Sequence, residues 1–140
     1  MKPKIFTLNE ANALLPRLKE DLASLQALTR EYEEQVLLLQ KLKGEFQLSS
    51  GRRASGDGRF FEAEGRLDFM RMEIQLQVDN FARKGVLLKM INPGLIDFPA
   101  VLDGEDVLIC WKEGEDRAAH YHGWHDGVKG RKPIPGADAE

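Results

Sequence analysis

The sequence has only one cysteine and no long uninterrupted apolar run, and its charges nearly balance. One cysteine cannot form an internal disulfide, which favours a reducing compartment. No apolar run is long enough to span a bilayer, and the residues after Met1 lack the apolar segment typical of a secretion signal. We therefore expect a cytoplasmic protein without a membrane partner.

The bulk composition indicates a globular chain of modest size. Its 140 residues predict one domain, spanning 1–140, and 42% hydrophobic with 31% charged residues is typical of a folded protein with solvated helices. The formal net charge of −3 disfavours a nucleic-acid partner.

Two segments carry a heptad pattern typical of paired helices. Thr7 and Glu10 fit a capping box, so the first helix is predicted over 6–48 and the second over 59–85. The connecting loop, 49–58, is rich in glycine and serine, which favours an antiparallel, coiled-coil-like hairpin. The heptad a and d positions of the first helix form one seam, in which only Thr29 is polar; they are Leu8, Ala11, Leu15, Leu18, Leu22, Leu25, Thr29, Tyr32, Val36, Leu39 and Phe46.

Both helices carry further apolar residues beside this seam. A lone two-helix hairpin buries only the seam, so the second stripe needs another surface. We expect a homodimer, with a protein partner as the alternative. The residues expected in the dimer contact include Leu28, Leu38, Phe69 and Leu76.

The C-terminal part predicts a small antiparallel β-ribbon unit over 94–125, which makes the fold α+β. Asp103-Gly104 is a strong two-residue hairpin signal, because a type I′ turn needs positive φ at both positions. This turn pairs Asp97 with Cys110 and gives the ribbon one apolar face. The run 86–91 either continues the helix or forms a short strand, and the tail 133–140 is expected to be flexible.

Both tryptophans, all three histidines and the cysteine lie in 94–131. If 118–124 is a third strand, His120 and His122 share a face and can approach Asp97 and Cys110. A thiol, an imidazole and a carboxylate are the groups that nucleophilic catalysis needs. The alternative is that Cys110 is simply a buried hydrophobic side chain.

The same residues allow other pairings. Cys110, His120 and His122, with His125, are ligand types that suit zinc, but their spacing matches no standard motif, so no metal and no cofactor are expected. Glu115 with His122 can form an acid–base pair. Alternatively, Glu115 closes a turn or pairs with Arg131, which is itself a candidate anion ligand.

The glycine-rich loop between the helices carries Arg52, Arg53 and, just after it, Arg59. It lacks the Gly-Lys-Ser/Thr ending of a phosphate-binding loop and does not follow a strand, which excludes that motif. A solvated loop is expected, with weak anion binding as the alternative.

Several long motifs together resemble one protein family. F-T-L-N-E-A-N-A-L-L-P-R-L, G-L-I-D-F-P, L-I-C-W-K-E-G-E and G-V-K-G-R resemble the bacterial family known as domain of unknown function 2203. Tyr121 departs from the tryptophan usual before His122. The resemblance implies a bacterial cytosolic protein and carries no activity. It places signature positions on Asp97, Cys110, Trp111, Gly114, Glu115, His122, Gly127, Gly130 and Arg131.

These patterns favour a non-catalytic helical interaction or assembly module. The alternative is a small enzyme or ligand-binding protein with its site in the β unit. That site would contain Asp97, Cys110, Glu115, His122 and Arg131.

Overall fold

The computed structural model describes residues 4–51 and 58–137, and it confirms the α+β fold. Most of the predicted interhelical loop, with Arg52 and Arg53, lies outside the described residues. No helix in those two ranges is long and apolar enough to cross a bilayer. The elements are α1 (Leu8–Ser50), α2 (Phe61–Arg83), β1 (Leu87–Met90), β2 (Leu95–Leu102), β3 (Glu105–Lys112), β4 (His120–His122), a short 3-10 helix (Val128–Gly130) and β5 (Lys132–Pro133).

The helices form the antiparallel hairpin that the heptads predict, and each begins two residues later than expected. The capping box of α1 is confirmed by two reciprocal hydrogen bonds. The Thr7 amide donates to Glu10 Oε1 at 2.9 Å, and the Glu10 amide donates to Thr7 Oγ1 at 3.1 Å. These bonds satisfy amides at the helix end that have no partner within the helix.

The described residues group into two compact units. The sheet unit contains residues 4–23 and 78–137, and the helix-pair unit contains residues 24–51 and 58–77. In the sheet unit, apolar residues of the first α1 turns lie in one core with the inner face of the sheet. Phe6 meets Phe98 edge to face with ring centroids 5.3 Å apart, and the Lys19 ammonium lies 5.6 Å from the Trp111 ring centroid.

All five strands form one antiparallel sheet in chain order. The predicted β2–β3 register is confirmed: Ile96 pairs with Trp111, Asp97 with Cys110, and Phe98 with Ile109. Asp103 and Gly104 have φ values of 52° and 79°, as the two-residue turn requires.

The sheet is larger than the predicted unit 94–125. The ambiguous run 86–91 contains a strand, since Leu87–Met90 pairs with β2. The tail expected to be flexible from Pro133 is instead tied to β4. Pro133 pairs with His120, and the Ile134 amide donates to the Ala119 carbonyl at 2.8 Å. Ile134 and Ala137 are buried, which explains why this segment is held, and residues 138–140 lie outside the described residues.

The helix-pair unit buries far less. Lys43 Nζ lies 3.6 Å from Glu64 Oε2, and Phe46 and Phe60 meet edge to face with ring centroids 5.9 Å apart. Among the described residues of this unit, only Leu25 and Leu39 are buried. Two helices alone therefore leave much of their apolar surface in water.

The hairpin turn gives a direct test of the register. Gly104 has φ 79° and open space where a Cβ would lie, so a substitution there tests backbone conformation alone. Gly104→Val should lower the free energy of unfolding by about 1 kcal/mol or more, because a β-branched residue resists positive φ. Gly104→Asn is the matched control and should cost clearly less, since asparagine tolerates this conformation. Equal urea midpoints for the two variants would contradict the assigned turn.

Candidate functional site

Three neighbouring strands bring Asp97, Cys110 and His122 together. Asp97 on β2 pairs directly with Cys110 on β3, and His122 on β4 pairs with Leu108, two residues before Cys110. Because strand side chains alternate between faces, these three project from the same face of the sheet. Their ligand atoms lie within 4.8 Å of one another, and the three residues are 2%, 1% and 6% exposed.

The imidazole of His122 is held by one hydrogen bond that fixes its tautomer. His122 Nδ1 lies 2.8 Å from the carbonyl oxygen of Gly123. A carbonyl can only accept, so Nδ1 carries a hydrogen, and in the neutral form of the ring the lone pair is at Nε2. That Nε2 faces both carboxylate oxygens of Asp97 at 3.3 Å.

The surroundings of the Cys110 thiol favour its protonated form. Burial, with the adjacent Asp97 carboxylate, raises the pKa of Cys110 to about 12, although the Arg131 guanidinium opposes this rise. At neutral pH the sulfur therefore remains a thiol, and the thiolate that nucleophilic catalysis requires is not formed.

A cavity of about 260 Å³ borders the three side chains. Its polar lining includes Lys89 and Asp126, which gives a small site the mixed character typical of ligand pockets. The segment after β4, with Trp124, Asp126 and Val128, forms one wall of this cavity over the outer face of the sheet. The apolar part of the wall is formed by Met90, Leu95, Leu108, Trp124 and Val128.

Glu115 and Arg131 form a bidentate ion pair beside this cluster, with bonds of 3.0 and 2.7 Å. Glu115 Oε1 also accepts from the Lys112 amide at 2.8 Å, so this residue both closes a turn and pairs with Arg131. Burial alone would raise the pKa of Glu115, but hydrogen bonds from Arg131 and Lys112 bring it below its ordinary value. An ionised carboxylate with these donors is suited to holding Arg131 and poorly suited to general acid chemistry.

The remaining predicted candidates are arranged differently. His122 faces Asp97, so it does not form the acid–base pair considered with Glu115. His120 Nδ1 lies 3.7 Å from Glu115 Oε2, outside the group of converging ligand atoms, and His125 is exposed. Of the residues considered as metal ligands, Cys110 and His122 converge, and Asp97 lies with them.

Sequence reasoning missed the contacts that hold β4 in place. The side chain of Asn12 on α1 donates to the Ala118 carbonyl at 3.0 Å and accepts from the Ala118 amide at 2.7 Å. These two bonds fix the chain just before His120 and His122. No local pattern signals a contact between residues so far apart in sequence, and Asn12 reads simply as a polar helix position.

Comparison with known proteins identifies the family. A family model described as "Uncharacterized conserved protein (DUF2203)" matches residues 4–134. The chain belongs to this family. No curated protein and no solved structure matches the chain. The description of DUF2203 states no activity.

The accessibility of Cys110 gives the first test of the site. We expect its thiol to react with a small disulfide reagent at least about 100-fold more slowly than an exposed thiol, since reaction requires an opening of about 3 kcal/mol. The control is Cys110→Ser combined with Val101→Cys, which moves the single thiol to an exposed position of the same sheet. Equal labelling rates in native buffer would show that Cys110 is open and reactive.

The ion pair beside the cluster gives a pH-dependent test. The pKa of Glu115 is lowered in the fold, so its contribution to stability is present above the ordinary value of 4.5 and is lost as the pH falls through the lower folded value. Arg131→Gln should reduce the free energy of unfolding at neutral pH and weaken its decline in acid. Urea melts between about pH 6 and about pH 3 measure both effects. Lys129→Gln, at an exposed site, is the charge-matched control, and identical behaviour of the two variants would contradict this role.

Proposed function

We propose that the protein is a non-catalytic module of the bacterial cytosol that assembles with a second copy of itself through the helix-pair unit. One observation carries this proposal. Eight large apolar side chains of that unit are exposed, whereas the sheet unit has a closed core. An apolar surface of this extent is typical of a protein interface. The exposed residues are Leu37, Leu38, Leu42, Leu48, Phe61, Phe69, Met72 and Leu76.

A groove between the two helices offers a place for the contact. It has a volume of about 370 Å³, and its walls include Leu38, Leu42, Leu67 and Met70. Leu38, Phe69 and Leu76, all expected in a dimer contact, are exposed in the single chain, and Leu28 is half-buried. The exposure of these positions supports association through the helix-pair unit.

The charges of the groove favour a second copy. Glu31 from α1 and Arg66 from α2 both line it. Because Lys43 contacts Glu64 and the helices are antiparallel, Arg66 of α2 lies opposite Lys41 of α1. Glu31 and Arg66 are therefore separated by roughly 15 Å along the helix axis, at about 1.5 Å per residue. A two-fold axis between them would place Glu31 of each copy beside Arg66 of the other. Such a self-complementary surface fits a symmetric homodimer.

We expect light scattering to give about twice the chain mass of 15.8 kDa at micromolar concentration. Leu38→Glu should raise the dissociation constant at least about tenfold, because an unpaired charge is costly to bury. Leu48→Glu is the matched control: Leu48 is exposed and apolar but does not line the groove. A monomer mass for the wild type, or equal weakening by both variants, would overturn the proposal.

A charge exchange tests the symmetry of the contact. Glu31→Arg and Arg66→Glu should each weaken association, since like charges would meet across the two-fold axis. The double variant should recover most of the lost affinity, because the pair is restored with its signs exchanged. Additive weakening in the double variant would argue against a two-fold contact through this groove.

A second candidate function is a small ligand-binding protein, or an enzyme, with its site in the β unit. The cavity beside Asp97, Cys110 and His122 favours it. Because the pKa of the buried Cys110 thiol is raised to about 12, a binding role fits better than a thiol nucleophile. The labelling experiment on Cys110 tests the nucleophile form of this candidate.

A further inference from the structure

We infer that Asp97, Cys110 and His122 form a binding site for one divalent transition-metal ion of the zinc type, with a further coordination position directed at the adjoining cavity. This inference names the ligand of the second candidate function and rests on that site being a binding site. It is independent of self-association through the helix-pair unit.

The arrangement of His122 Nε2 opposite the Asp97 carboxylate favours a positive charge between them. In the neutral tautomer that donates to the Gly123 carbonyl, His122 Nε2 has a lone pair 3.3 Å from the two oxygens of Asp97. Two groups that present only lone pairs repel each other in a buried setting. A metal ion would be held by both. A histidine that binds a metal through one nitrogen commonly donates from the other to a backbone carbonyl, as His122 does.

A proton on Nε2 would also relieve the repulsion, but the position of the Cys110 sulfur, which hydrogen-bonds to Asp97 in the metal-free cluster, favours a metal ion. The sulfur lies within 4.8 Å of the other two ligand atoms. In a tetrahedral zinc site with bonds of about 2.0–2.3 Å, ligand atoms are separated by about 3.3–3.8 Å. The imidazole and carboxylate are already at such a distance, so a small side-chain rotation would complete the set.

The charges of the three ligands match a divalent ion. A carboxylate from Asp97, a thiolate from Cys110 and a neutral imidazole from His122 sum to two negative charges, which the ion would neutralise. On binding, the Cys110 thiol releases its proton to solvent and its sulfur forms the bond to the metal. The neighbouring Arg131 is already neutralised by Glu115, so it adds little net charge to the site.

The mixture of ligands favours a zinc-type ion over magnesium or calcium, which prefer oxygen ligands. Three protein ligands beside a cavity are typical of zinc sites that keep one position open. The wall formed by Leu95, Leu108 and Trp124 would place a largely apolar group near that position. Structural zinc sites, in contrast, are closed by four protein ligands.

The experiment uses full-length, tag-free protein treated with a chelator and titrated with Co²⁺. We expect one Co²⁺ per chain, with a sulfur-to-cobalt charge-transfer band and the visible absorption of a tetrahedral ion, both abolished by Zn²⁺. Cys110→Ser should remove the charge-transfer band and weaken binding by more than about 100-fold. His125→Ala, which removes an exposed histidine, should leave both unchanged.

Two further variants keep the result decisive. If Cys110→Ser does not fold by circular dichroism, the isosteric Asp97→Asn should lower the Co²⁺ affinity at least about tenfold while keeping the sulfur band. Leu38→Glu should still bind one Co²⁺ per chain, which separates this inference from self-association. A folded wild type without the sulfur band, or Co²⁺ binding unaffected by both ligand variants, would overturn the metal site. If the protein does not bind the metal but does bind an organic molecule in the cavity, the metal site is wrong and the second candidate function remains supported.

Discussion

The register of the β2–β3 hairpin is the constraint on which the sheet unit depends. The positive φ of Asp103 and Gly104 sets this register, and the two-residue alternation of the strands then divides the side chains. Phe98 and Ile109 lie on one face, while Asp97 and Cys110 lie on the other. A slip of one residue would place the carboxylate of Asp97 in the apolar core beside Phe6, where no partner could compensate its desolvation. The same turn therefore determines both the core and the candidate site.

A carboxylate buried next to a thiol and an imidazole lowers the free energy of unfolding of a small fold, because the carboxylate loses its hydration. The cost is easily avoided, because an apolar residue at position 97 would pack against Leu108 and Cys110 without an unpaired charge. The presence of Asp97 at this buried position therefore favours a role in binding rather than in packing alone. The nearby pair of Glu115 and Arg131 illustrates the contrast: its charges are satisfied by two direct bonds and a backbone donor, so it needs no further ligand. The partners of Asp97 within its own cluster are the Cys110 side chain and His122 Nε2, so it has no guanidinium or backbone donor of the kind that holds Glu115.

Sequence alone predicted the features that depend on local rules. The capping box at Thr7, the helical hairpin and the pairing of Asp97 with Cys110 each follow from spacing or turn chemistry, and all are confirmed. The convergence of Cys110 with His122 could also be anticipated from strand parity. The outer strands could not, because β1 is too short for periodicity to distinguish it from helix and β5 contains only two residues. The anchoring of β4 by Asn12 and the cavity wall at Trp124 depend on contacts distant in sequence, which no local pattern records.

The two units bury their apolar residues to very different degrees, and this difference bears on how function is divided between them. The sheet unit closes its core with its own chain, down to Ile134 and Ala137, so it can hold a site whose geometry depends on fixed side chains. The helix-pair unit has only Leu25 and Leu39 buried among its described residues. Its remaining apolar surface is stable in water only at a cost, which a second copy would remove. The closed core of the sheet unit is suited to ligand binding, and the exposed apolar residues of the helix-pair unit are suited to association. One chain can therefore have both proposed roles.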